Sequence, residues 1–143
     1  MRTITLSVAA LILILAVACT PARKSSAGFH LPDGDPERGK AIFVEMKCYT
    51  CHRVTGVEGL DATARTPVTL GGRVRYTPTD GKIVTSIVDP SYTFAEGYRK
   101  DLIEVEGRSL MPDTSHAMTI RQMIDLVAFL QANYEIESPP PVH

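Results

Sequence analysis

Three side chains able to do chemistry stand within five residues, Cys48, Cys51 and His52, in the stretch CYTCH. Two thiols two residues apart, with a histidine behind the second, admit three chemistries. A structural zinc ion needs four ligands, commonly two pairs of Cys or His. Cys48, Cys51 and His52 crowd one another around a single tetrahedral ion, and the distant His30, His116 and His143 supply no second pair. A redox dithiol opens a helix inside a βαβ unit, whereas this pair follows a helical pattern and precedes a loop. Covalent haem suits the spacing. Each thiol bonds one vinyl-derived carbon of the porphyrin, and the adjacent imidazole reaches the iron from the same side.

With His52 as one axial ligand, the opposite position favours a methionine, which raises the reduction potential and suits electron transfer. Met46 lies in the helix before the thiols, and Met123 falls on an apolar helical stripe where a core role is the default. Met111 stands in SLMPD, a loop stiffened by proline, and is the preferred ligand; Met118, His116 or an open position are the alternatives.

Attachment of this kind takes place after export, and the N-terminus carries an export pattern. MRTITLSVAALILILAVAC has an early Arg2, an apolar run from Val8 to Ala18 and then Cys19. The run falls short of the about 20 residues a transmembrane helix needs, and its charged start and small-residue end fit a signal peptide over 1–18. AVAC resembles a bacterial lipoprotein cleavage box, which makes Cys19 a lipidation site; a plain secretory signal or a retained anchor is the alternative. Cysteine arithmetic agrees, since assigning Cys19 to lipid leaves Cys48 and Cys51 as a matched pair and no odd thiol. Localisation is then periplasmic or on the outer face of the membrane. The net charge of −1 excludes an electrostatic nucleic-acid binder. Composition, 44% hydrophobic and 22% charged, is that of a folded domain.

The elements that must position these residues follow from the rest of the chain. Residues 19–33, small, polar and proline-bearing, read as a flexible tether. Asp35 is an N-cap and Pro36 a first helical residue for a helix with Ile42, Phe43 and Met46 on one face. Gly39 costs that helix about 1 kcal/mol relative to alanine and so calls for a packing reason. Residues 53–79 read as irregular, a helix is predicted over 81–88 and stops at Asp89-Pro90, and 91–117 is again mainly irregular. Thr119 caps a final amphipathic helix through Ile120, Met123, Ile124, Val127 and Leu130. The expected fold class is all-α, three to four helices with long loops around one covalent haem, over 34–134, and with no convincing sheet. Residues 135–143 read as a disordered tail.

GDPERGKAIFVEMKCYTCH, TPVTLGG, LMP and MTIRQMIDLVAFLQ, in that order, resemble a class I cytochrome c across residues 34–132. The resemblance implies that Gly39 and Phe43 pack against Leu126 and Phe129. It also implies that the Pro67 carbonyl accepts the ring N–H of the axial His52, a bond that would fix the tautomer. Arg73, Arg75, Tyr76 and Tyr98 fall near the family's propionate contacts, with Arg73 the best placed. DGKIVTSIVDPSYTFAEGY followed by MP is similar to the cytochrome domain of haem–copper oxidase subunit II, without its copper domain and membrane hairpin. The segment EGYRKDLIEVEGRSL before Met111 is longer than that likeness leads one to expect.

The functional expectation is a one-electron carrier and not an enzyme, working between membrane-associated redox proteins such as a terminal oxidase or dehydrogenase. A fixed electron-transfer subunit of such a complex is the main alternative. A gas sensor or peroxidase-like protein would need an exchangeable sixth position.

Overall fold

The structure, a computed structural model, describes residues 29–137. The signal peptide, Cys19, most of the tether and residues 138–143 lie outside the described residues.

Helix α1, Pro36–Glu45, begins as its sequence dictates. The Asp35 carboxylate accepts from the N–H groups of Glu37 at 2.9 Å and Arg38 at 3.1 Å, satisfying donors the first turn leaves open. Gly39, Ile42 and Phe43, at helical spacing, form its buried face. The helix ends at Met46, and Lys47 in the left-handed region (φ 56°) turns the chain into a 3-10 turn at Cys48–Thr50. Strand β1, His52–Val54, follows directly and pairs in parallel with β2, Val68–Leu70, so that His52 faces Val68 and Arg53 faces Thr69.

Strand β3, Gly72–Val74, leads to α2, Asp80–Val88, where the Thr79 hydroxyl accepts from Lys82 N–H and Ile83 and Ile87 turn inward. A single turn, α3 (Lys100–Ile103), opens into a hairpin of β4 (Glu104–Val105) and β5 (Arg108–Ser109). Its two-residue loop, Glu106-Gly107, has positive φ at both positions, the backbone that matches the twist of paired strands. A 3-10 turn at Ser115–Ala117 precedes α4, Ile120–Ala132. There Thr119 and Gln122 cap each other reciprocally: Gln122 N–H donates to the Thr119 hydroxyl at 3.2 Å, and Thr119 N–H donates to the Gln122 side chain at 2.9 Å. Strand β6, Tyr134–Ile136, runs parallel to β3.

The core is the crossing of α1 and α4, the most extensive contact between elements. Gly39 exists for that crossing: a Cβ there would sit 2.0 Å from the Asp125 carbonyl oxygen. Phe43 and Phe129 meet with ring centroids 5.5 Å apart at 58°, a tilted pair that adds about 0.5–1.5 kcal/mol beyond area burial. Leu126 completes the predicted packing, and Val54, Ile83 and Ile87 extend the cluster toward β1 and α2.

Among the described residues, four helices and long loops match the expected fold class. Three differences appear at finer scale. Three two-stranded ladders are present where no sheet was expected, each too short to show a two-residue alternation. The predicted tail is ordered at its start, because Glu135 and Ile136 pair with Arg73 and Val74. The predicted tether is docked at its end: Leu31 packs on the core, and its N–H donates to Asp80 Oδ2 at 3.1 Å.

Candidate functional site

The 3-10 turn presents the two thiols differently. Cys48 is half-buried against the core and Cys51 is exposed. Burial pushes the Cys48 thiol above its ordinary value, and the neighbouring Cys51 adds to the rise. The turn is braced from outside, since the Thr50 carbonyl accepts from Thr63 N–H at 3.0 Å and Ala64 N–H at 2.8 Å. Val68 N–H donates to the Cys51 carbonyl at 2.9 Å, which starts the β1–β2 ladder and holds His52 in place.

His52 is the most informative group. Its Nδ1 is buried and has no hydrogen-bond partner among the described residues. Desolvation holds the imidazole pKa below its ordinary value, only partly offset by the Val68 backbone. A neutral imidazole is the form that binds a metal. The bond expected between the ring and the Pro67 carbonyl is not made. The parallel register sets Val68, one residue on, opposite His52.

Met111 is half-buried and packs against the same core cluster, as does Met118. Its backbone is held by an N–H bond to Ser109 Oγ at 3.1 Å, and Leu110 N–H bonds the Ile103 carbonyl at 2.9 Å. Leu60, Leu70 and Val84 likewise lie on the core without being closed over. A covalent porphyrin fits this arrangement: two thiols on one turn, a neutral imidazole with an orphaned buried nitrogen, and half-covered apolar and thioether side chains. Among the described residues, no three His, Cys, Asp or Glu side chains gather into a metal-holding group, so the zinc geometry is not assembled there.

The other sequence candidates are placed as follows. Arg73 is exposed on β3 with its Nε 3.8 Å from Glu135, and Tyr76 is 86% exposed. Tyr98 is half-buried, and its hydroxyl accepts from Thr69 N–H at 2.8 Å. Sequence reasoning missed Asp125, the one buried polar or charged residue among those described. It accepts Arg38 Nε at 2.9 Å and Asp35 N–H at 2.9 Å, pinning the start of α1 to the middle of α4. An acid inside the apolar run Ile124–Leu126 was the available signal.

A family model described as cytochrome c matches residues 36–133. No curated protein and no solved structure matches the chain.

Proposed function

This chain belongs to the cytochrome c family, and we propose that it is a single-haem electron carrier tethered by lipid at Cys19 outside the cytoplasmic membrane. The family binds haem c covalently and transfers electrons; the assignments below concern which residues do so here. Cys48 and Cys51 would hold the haem through thioether bonds, and His52 and Met111 would ligate its iron. When bound, the haem iron supplies the one-electron ferrous–ferric couple.

The residues contribute position, potential and dryness. Burial biases His52 toward the neutral form, the form that would bind the iron. Met111 approaches on a loop held by Ser109 and Ile103, and a thioether ligand raises the potential. Val54, Ile83 and Leu126 give the interior a low dielectric, which disfavours the more highly charged oxidised state. A haem held at the exposed Cys51 would offer an accessible edge for a redox partner.

The two free thiols of Cys48 and Cys51 on one turn, followed directly by the largely buried His52 imidazole, are the observation that best supports this reading. A lipid on Cys19 restricts the protein to partners in or on the same membrane, a terminal oxidase or a dehydrogenase. Potentiometric titration of the exported protein tests the function: a single reversible one-electron wave is expected. An iron that stays high-spin and binds carbon monoxide or peroxide without displacing a ligand would instead favour a sensor or peroxidase.

A further inference from the structure

We infer that Tyr98 is a positioning residue that straps the Met111 loop to the His52 strand pair; this rests on the His52–Met111 reading above. Residues 91–111 form a long segment organised mostly on itself. Ser109 N–H donates to Ser91 Oγ at 3.1 Å, Leu102 N–H to the Arg99 carbonyl at 3.0 Å, and Leu110 N–H to the Ile103 carbonyl at 2.9 Å. Met111 N–H then bonds Ser109 Oγ. These bonds make α3, the hairpin and Met111 one unit, but none of them locates that unit relative to His52.

Tyr98 does. Its hydroxyl accepts the Thr69 N–H at 2.8 Å across 29 residues of chain. Thr69 lies opposite Arg53 in the β1–β2 ladder, one step from the pair formed by His52 and Val68. A two-stranded ladder leaves the outer N–H groups of β2 open, and the phenol closes one of them. The strap runs from His52 through the ladder to Thr69, across to Tyr98, and on through α3 to Leu110 and Met111. Among the described residues Tyr98 makes its hydrogen bond to Thr69 and none to Cys48, Cys51, His52 or Met111, so its effect on the iron would pass through the Met111 loop. A phenol can also serve because it is rigid, with two rotatable side-chain bonds to order.

The test uses the exported, haem-loaded full chain and the variant Tyr98→Phe, which keeps the ring and removes the hydroxyl. One neutral hydrogen bond lost makes the loop-open form about fivefold more populated. In Tyr98→Phe the ferric methionine-to-iron charge-transfer band is therefore expected to disappear at a lower denaturant concentration than in the parent, while far-UV circular dichroism still shows the parent's global midpoint. The strap is overturned if the band and the global transition keep the parent's separation. A parent without the band overturns the axial reading, and the strap with it. Should the variant fail to mature, hydrogen exchange on the parent decides: the Thr69 amide is expected to lose protection in the same step as the band. A Thr69 amide that exchanges freely while the band is intact contradicts the strap.

Discussion

At the residue scale, the proposed chemistry depends on the His52 imidazole, which burial biases toward its neutral form. Burial lowers the His52 pKa, and its Nδ1 has no hydrogen-bond partner among the described residues. Met111, the proposed second ligand, is placed by backbone bonds that do not involve its sulfur, so removing its side chain should leave the loop in place. Met111→Ala is expected to retain covalent haem, lose the ferric charge-transfer band and fall in reduction potential, as redox titration would read. If Met118 is the ligand instead, Met118→Ala and not Met111→Ala removes the band. The thiols and His52 were legible because their spacing is itself chemistry. The fate of Pro67 was not: a one-residue difference in parallel register puts Val68 opposite His52, and nothing local in the sequence fixes that register.

At the element scale, the crossing of α1 and α4 is the member that carries the load, and two residues test it. Gly39→Ala drives a methyl into the Asp125 carbonyl. Overpacking of this kind costs about 1–3 kcal/mol, and chemical denaturation should show at least that loss. Phe43→Ala should cost about 3–5 kcal/mol, because the site is fully enclosed.

Asp125 adds a pH dependence to the same crossing. Its carboxyl is held below the ordinary range, first by the Arg38 side-chain bond and then by the Asp35 N–H. A depressed folded-state pKa contributes stability that is full above the unfolded value of about 3.9 and is lost as pH falls through the folded value. Denaturation midpoints should therefore drop on acidification below about pH 4, and Asp125→Asn should flatten that drop while lowering the midpoint at neutral pH. A variant with the parent's acid dependence would show that other carboxylates carry it. Both helices and their caps were legible, since Asp35, Pro36, Thr119 and the apolar stripes act locally. Asp125 and the three short ladders were not, because each depends on partners tens of residues away.

At the scale of the whole molecule, the long loops are the consequence of building around a cofactor. Leu60, Leu70, Val84 and Met118 pack against the core while staying only partly buried themselves, and a domain of this kind completes its interior with the ring. Loss of attachment should therefore lower global stability as well as redox activity. Cys48→Ser with Cys51→Ser is expected to give a chain that melts earlier and less cooperatively than the parent by circular dichroism. The docked Leu31 shows where the path from the N-terminus joins the domain, against Asp80 and α4. The Cys19 lipid is proposed to hold that point near the membrane, and intact mass of the mature protein should show the diacylated N-terminus.

Lys47 and Arg53 flank the attachment turn, so trypsin releases Cys48–Arg53 as one peptide carrying both thiols and His52. Mass spectrometry of that peptide, from protein matured with its own leader, is the most direct measurement of the central claim. The expected result is one haem bound through both cysteines. A peptide with two unmodified or disulfide-linked thiols, from protein that is otherwise folded and exported, would contradict it.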